Sequence, residues 1–354
     1  MRRLTILSVA YPFASVGPDA VGGAEQVLWA LDRAIVAAGH RSIVVACEGS
    51  HVAGELAPLP SPRGALTPAL RDAVQRRVAA LLAELQGRAD VVHLHGVDFA
   101  AYLPPPGAPA LATLHLAPEW YPAEALRPAR PMTWLHGVSR TQDAALRAAL
   151  GGAAGHVLPP IGNGVPVAAL GAARHARRGF ALTLGRICPE KGQHLALEAA
   201  HRADMPLLIA GAVFDYPEHR AYWRQRVQPL LDARRRWIGP VGFARKRRLL
   251  SAARCVLVPS LVAETSSLVA MEAAACGTPV IALPSGALCE TVEDGRTGFL
   301  VPDARAMAAA MRRSGAISAA VCRAVAAERF SVERCTAAYL ARYAALAARV
   351  VARC

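Results

Sequence analysis

Lysine is almost absent from this chain: Lys191 and Lys246 stand against 38 arginines. Aromatic residues make up only 5% of the 354 positions, so any core must be built largely from Ala, Val and Leu. No uncharged run free of breakers is long enough to cross a membrane as a helix. The run 99–118 is interrupted by Pro104, Pro105, Pro106 and Gly107, and the run 148–173 by Gly151, Pro159, Pro160 and Gly162. The eight cysteines are scattered and never form C-x-x-C, which argues against a disulfide framework or a zinc site. In a chain of this length they are expected as buried thiols in a reducing cytoplasm. The signatures G-x-G-x-x-G after the first apolar run, G-x-x-x-x-G-K-[ST] and G-x-S-x-G are all missing. Their absence argues against the common dinucleotide, P-loop and nucleophile-elbow chemistries.

What is present is apolar and basic. Hydrophobic residues reach 54% and mean hydropathy is +0.27, enough for the two domains that the length suggests. The formal charge is +14, with basic clusters at 174–178, 234–236 and 245–248. No recognition helix, RNA-binding sheet motif or zinc-finger spacing accompanies them, so nucleic acid is not an expected partner. The clusters read as a solvated basic face that can steer phosphate groups or rest on an anionic membrane surface. Leu4–Ala10 follows Met1-Arg2-Arg3 in the manner of a signal peptide, but a glycine loop and an amphipathic helix come next. It is read as a first strand, and the protein as cytoplasmic, with peripheral contact to the inner face of the cell membrane compatible with its charge.

Short apolar runs alternate with amphipathic stretches along the whole chain. Strands are predicted at 4–9, 42–46, 91–94, 110–114 and 133–138, with helices at 24–38 and 68–85. Leu70, Val74, Val78, Leu81, Leu82 and Leu85 share one face of the second helix, and Arg71, Arg76 and Arg77 lie on its outer face. After the Pro- and Gly-rich stretch 159–166 the pattern restarts. Strands are predicted at 180–185, 206–210, 237–239, 255–258 and 279–283, and helices at 191–202, 222–233, 245–253, 268–276 and 304–312. Helices at 317–329 and 332–351 close the chain. Such alternation implies an α/β protein of two Rossmann-like domains, 1–165 and 166–331, with parallel sheets facing an interdomain cleft. Ligands are expected outside the carboxyl ends of the strands.

The polar residues with chemical potential sit at those ends. Gly22, Gly23 and Glu25 open the first helix, where N–H groups are free to meet an anion. Arg186 offers a planar donor fork and Lys191 a mobile point charge, a natural pair for a diphosphate. The densest signal runs from Pro259 to Val280, in the order strand, polar loop, helix and Gly-Thr-Pro turn. Glu264 lies in its loop and Glu272 on the first turns of its helix. The N–H groups of Ser266, Ser267, Leu268 and Val269 are placed to hold phosphate oxygens at the positive helix end. No Asp-x-Asp occurs, so the usual handle for a metal-held sugar nucleotide is missing. His93, His95 and His115 lack a fourth ligand for zinc, and no metal is expected.

In combination and order these pieces resemble the retaining glycosyltransferases of glycosyltransferase family 4, which have the GT-B fold. The resemblance runs from Leu4 to about Pro302. It rests on Gly22-Gly23-Ala24-Glu25, Val92-His93-Leu94-His95-Gly96, Thr113-Leu114-His115, Asn163-Gly164-Val165, Gly185-Arg186 with Lys191-Gly192, Glu264-x7-Glu272, and residues 294–301. It implies an acceptor-binding first domain and a second domain that binds a nucleotide-sugar donor. Arg186 and Lys191 would grip the diphosphate, Glu272 would contact the ribose, and Glu264 the donor sugar. His115 would face that sugar, the Gly22–Gly23 loop would close over the phosphates, and no divalent cation would be needed. The helix from 332 to about 354 would pack back on the first domain. Front-face attack, with the leaving phosphate helping to deprotonate the acceptor, is the implied route to retention. His115 and Glu264 are thus the expected catalytic residues.

Two departures stand out. Ser266-Ser267 replaces the Phe-Gly that many members carry, and Gly211-Ala212-Val213 replaces Gly-x-Gly. The expected partners are a UDP-, GDP- or ADP-sugar and a glycan, lipid-linked or small-molecule acceptor, as in polysaccharide biosynthesis. Acceptor choice is expected in the loops 48–67 and 117–131. The competing readings are a sugar phosphorylase, a nucleotide-sugar epimerase, and a non-catalytic sugar-nucleotide binding module.

Overall fold

The structure is a computed structural model that describes residues 2–61 and 66–351. It divides into two units: Met1–Asn163 with Glu333–Cys354, and Gly164–Val332. Residues 62–65 of the 48–67 segment and 352–354 of the last helix lie outside the described residues.

In the first unit, strands β1 (Thr5–Val9), β2 (Arg41–Cys47), β3 (Glu55–Leu59), β4 (Val91–Leu94), β5 (Ala110–Thr113) and β6 (Thr133–His136) form one sheet. Their order is β3-β2-β1-β4-β5-β6 and every pairing is parallel. Side chains alternate across a strand, and both faces here are covered. Leu7, Val9, Ile43, Val45, Val92 and Leu94 pack with α2 (Pro68–Leu85). Ile6, Val91 and Leu111 pack on the opposite face with α1 (Gly23–Ala37) and with the last helix, α13 (Val332–Val351). From α13 come Tyr339, Tyr343 and Leu346, spaced to share one helical face. Thr67 caps α2 by accepting from the Leu70 N–H at 3.2 Å, and Pro68 occupies its first turn. The buried stripe of α2 is narrower than its periodicity predicts: Val78, Leu81 and Leu82 are buried, while Leu70, Val74 and Leu85 are half-buried. Two shorter helices, α3 (Ala123–Leu126) and α4 (Arg140–Leu150), complete this unit.

The second unit repeats the plan. Strands β7 (Ala181–Leu184), β8 (Leu207–Ala210), β9 (Arg235–Trp237), β10 (Cys255–Val258), β11 (Val280–Ala282) and β12 (Gly298–Leu300) pair in parallel. Their order is β12-β11-β10-β7-β8-β9. The helices are α5 (Val167–Gly171), α6 (Gln193–Ala203), α7 (Pro217–Tyr222), α8 (Phe243–Ala252), α9 (Leu268–Ala275), α10 (Leu288–Thr291), α11 (Ala304–Arg313) and α12 (Ala319–Arg329). Helices α6 and α11 cover one sheet face; α9 and α12 cover the other. Both sheets have the strand order of a dinucleotide-type Rossmann fold.

Several expected elements are corrected. The helix expected at 222–233 is instead α7, a π-turn at Trp223–Val227 and a 3-10 turn at Gln228–Leu230. Pro229 cannot donate to the helical ladder, so the α-helical bond expected at that position is lost. Asp232 then accepts from the Arg234 and Arg235 N–H groups, a turn that starts β9 two residues earlier than the 237–239 expected. Strands β3 and β12 and helix α4 were not expected. Both strands are short edges, and β3 contains Pro58, which only an edge tolerates. Strand β3 also replaces part of the loop expected at 48–67.

Candidate functional site

In a sheet of this order the crevice lies where strand direction of growth reverses, at the carboxyl ends of the central strands. In the second unit that point falls between β7 and β10. The loop after β7 carries Arg186 and Lys191, and the loop after β10 carries Glu264, Ser266 and Ser267. Backbone geometry holds these loops together. Gly192 has φ +60°, and a Cβ there would lie 2.2 Å from the Pro259 carbonyl oxygen. The Leu261 N–H donates to the Glu190 carbonyl at 2.8 Å. Gly211 has φ +154°, and a Cβ there would lie 1.8 Å from the Gly185 oxygen. Only glycine allows the turns after β7 and β8 to approach so closely.

Each of the two lysines pairs with one of the two glutamates. Lys191 Nζ donates to Glu264 Oε1 at 2.5 Å, and the Ser260 hydroxyl donates to the same oxygen. Lys246 Nζ, from α8, donates to Glu272 Oε1 at 2.5 Å. The second pair is the more deeply buried, with side-chain exposures of 15% and 4%. Burial pushes the Glu272 carboxyl up, and Lys246 opposes that shift. Lys246 was missed as a site residue because it lies inside the basic cluster 245–248; its one signal was the scarcity of lysine.

Ser267 caps α9, its hydroxyl accepting from the Ala270 N–H at 3.4 Å. Ser266 Oγ is buried without a hydrogen-bond partner among the described residues. Leu268 and Val269, half-buried, begin the helix. Arg186 is exposed, with its guanidinium 5.8 Å from the Phe214 ring centroid. The structure thus gathers Arg186, Lys191, Glu264, Ser266, Ser267, Leu268, Val269 and Glu272 in one unit. A diphosphate would find cations and helix N–H groups there, and a sugar would find carboxylates.

Gly22, Gly23 and His115 lie in the first unit. Gly22 caps α1 with extended backbone, and a Cβ there would strike the buried Glu25 carboxylate. His115 follows β5, beside the β1/β4 switch point. Behind it runs a hydrogen-bonded chain that sequence reasoning did not find. His115 Nε2 meets His95 Nδ1 at 3.0 Å, and His95 Nε2 meets His93 Nδ1 at 3.1 Å. His93 Nε2 meets Thr113 Oγ1 at 2.8 Å, and Thr113 Oγ1 meets His136 Nε2 at 2.7 Å. Tyr343 of α13 reaches His93 Nδ1 at 2.7 Å.

The Gly137 carbonyl fixes proton positions at the inner end of the chain. His136 Nδ1–H donates to the Gly137 carbonyl at 2.9 Å, so its Nε2 accepts from Thr113. Thr113 therefore accepts from His93 Nε2–H, leaving a lone pair on His93 Nδ1. Tyr343 Oη and His95 Nε2 both face that lone pair, at 2.7 and 3.1 Å. Burial holds all four rings below the ordinary histidine value, His115 at about 4 and His136 at about 3. His115 is thus a neutral ring near pH 7.

The three basic clusters converge at the opposite end of the second sheet. Arg178, Arg234, Arg236, Arg245 and Arg248 line a cavity of about 720 Å³ with Phe180 among its apolar walls. No helix among the described residues is long and apolar enough to cross a membrane.

A model described as Glycosyltransferase Family 4 matches residues 21–149, and one described as Glycosyl transferases group 1 matches residues 179–314. The chain belongs to the family 4 glycosyltransferases. Among its relatives, the alpha-maltose-1-phosphate synthase of Mycolicibacterium smegmatis is 38% identical over 123 residues, 33% of this chain and 32% of that protein. The D-inositol 3-phosphate glycosyltransferase of Mycobacterium avium is 36% identical over 175 residues, 45% of this chain and 40% of that protein. The matches thus span about a third to two fifths of these curated relatives. Among solved structures, AviGT4, a glycosyltransferase involved in avilamycin A biosynthesis, is 25% identical with TM-score 0.69, covering 98% of each chain. Anabaena HepE, solved with UDP and glucose, is 21% identical with TM-score 0.73, covering 97% of this chain and 100% of its own. These neighbours share the GT-B fold with this family 4 chain.

Proposed function

We propose that this family 4 chain transfers a sugar from a nucleoside-diphosphate sugar to a glycan, lipid-linked or small-molecule acceptor, retaining the configuration of the anomeric carbon. The observation that carries the reading is the pair of Lys–Glu contacts on either side of the α9 N-terminus, at the switch point of the second sheet. Departure of a nucleoside diphosphate builds negative charge, and fixed cations and helix N–H groups directed at it lower the barrier. Arg186 and Lys191 would take the phosphates, with Lys191 exchanging part of its contact with Glu264 for them. Glu264 would then turn an oxygen to the donor-sugar hydroxyls, and Glu272 would hold the ribose. The first unit would take the acceptor, the Gly22–Gly23 loop would cover the phosphates, and His115 would orient the sugar. As a neutral ring near pH 7, His115 is an orienting group and not the acid that protonates the leaving group.

The cations replace a metal at the diphosphate, so transfer is expected to need no added Mg²⁺ or Mn²⁺. Anabaena HepE was solved with UDP-glucose, which makes UDP-sugars the first donors to assay, followed by GDP- and ADP-sugars. Release of nucleoside diphosphate, unchanged by either ion, with an α-donor giving an α-product by NMR, supports the reading. Turnover of sugar phosphates with no nucleotide donor active would favour a phosphorylase. A second observation, the cavity of five arginines, supports peripheral contact with anionic lipid from a cytoplasmic site. Co-sedimentation with phosphatidylglycerol vesicles that falls as salt rises would support it; equal binding to phosphatidylcholine would not.

A further inference from the structure

Behind the Arg186–Lys191 turn lies a cluster that the transfer chemistry does not use. Cys188 and Glu190 come from that turn, and His219 comes from α7. One ligand atom from each, a thiol sulfur, a carboxylate oxygen and an imidazole nitrogen, lies within 4.8 Å of the other two. We infer that Cys188, Glu190 and His219 form a zinc site that ties the diphosphate turn to α7.

Three observations carry this. First, two of the three groups are enclosed, Cys188 at 1% exposed and His219 at 8%, and Glu190 is half-buried. Second, His219 Nδ1 and Glu190 Oε2 are buried without a hydrogen-bond partner among the described residues. Leaving such atoms unmet is costly, and a cation bound to both would answer the two needs together. Third, the donor set selects the metal. Thiolate and imidazole are poor ligands for Mg²⁺ or Ca²⁺ and good ones for zinc. Tetrahedral zinc places its ligand atoms about 3.3–3.8 Å apart, so a contraction of about 1 Å closes the set.

Charge and protons balance. The Cys188 S–H bond breaks as the sulfur–zinc bond forms, and the proton passes to solvent. Thiolate and carboxylate then neutralise the dication, which keeps the site compatible with the neighbouring Arg186. Three protein ligands leave one position for water. The metal acts on the turn's position and touches no reacting atom, so the site stands apart from the metal-independent transfer proposed above.

The test reads metal content and not activity. The full-length protein is incubated with zinc, passed through a desalting column and analysed for metal by mass spectrometry. The wild type is expected to retain about one zinc per chain, and Cys188→Ser and His219→Gln less than about a tenth of that. With cobalt in place of zinc, the wild type is expected to show a thiolate-to-metal absorption band that Cys188→Ser lacks. Circular dichroism confirms folding; if Cys188→Ser does not fold, Glu190→Gln and His219→Gln decide. Wild-type protein that retains no zinc, or folded variants that retain as much as wild type, would overturn the site.

Discussion

At the scale of single residues, the two lysines explain more than their number suggests. Lys191 was legible from sequence because it closes a Gly-Arg…Lys-Gly turn, but its contact with Glu264 was not, since the two stand 73 positions apart. The pairing still permits the two glutamates to be separated by experiment. In the proposed role Glu264, in a loop and paired with Lys191, would strengthen its contact as charge grows on the sugar. Glu264→Gln is expected to lower kcat tenfold to a thousandfold with a smaller change in donor KM, roughly the span seen when one transition-state donor is lost. Glu272→Gln is expected to raise KM chiefly, because ribose contacts are equal before and during bond breaking. Donor-saturation kinetics on both variants decide; normal turnover by Glu264→Gln would remove it from the catalytic set. Lys246→Ala leaves the Glu272 carboxylate buried without its partner. It is expected to cost about 3–5 kcal/mol in urea denaturation, much of it recovered when Glu272→Gln is added. An unchanged midpoint would mean the pair is structurally idle.

At the scale of elements, strands with continuous apolar runs were legible, and so were helices with a clear start. β4, β10 and α2 fall at the predicted bounds because their hydrophobic runs end at polar or breaking residues. Edge strands β3 and β12 were hidden, since an edge needs little apolar surface and β3 even contains proline. The segment after Tyr222 deceived because its helix-favouring composition is overruled by Pro229 and the Asp232 turn. The site turns depend on glycines whose need is set by a distant backbone, as at Gly211 against Gly185. Gly211→Ala is expected to destabilise the second unit by about 3 kcal/mol, through a steric clash and a backbone conformation that alanine disfavours. It is also expected to weaken nucleotide binding in the protein that remains folded. Chemical denaturation and calorimetry check both; wild-type stability would mean the two turns can separate without cost.

For the molecule as a whole, the repeated β/α alternation made two Rossmann-like units legible, while the histidine chain that runs through the first was not. Its members come from β4, β5 and β6 and the loops after them, and their hydrogen bonds follow from strand pairing that no spacing reveals. The chain has a consequence for pH. Four rings whose folded pKa values lie below the unfolded value of about 6.5 bind fewer protons folded than unfolded. Stability is therefore full above that pH and falls as pH drops through 6 and 5 toward the folded values. Urea titrations between pH 7 and pH 5 are expected to show this fall, and His136→Asn to reduce its slope. A flat profile would mean the rings titrate in the fold as they do in the unfolded chain. The most direct test of the central claim, that the second unit holds a nucleoside diphosphate on its two lysine–glutamate pairs, is calorimetric titration of the wild type and Lys191→Ala with UDP, GDP and ADP. The expected result is saturable binding of one nucleotide by the wild type, and at least a tenfold loss in folded Lys191→Ala, since one charge-assisted contact is worth about 1.5–3 kcal/mol. Equal affinity in the two proteins, or no binding of any of the three nucleotides by the wild type, would contradict it.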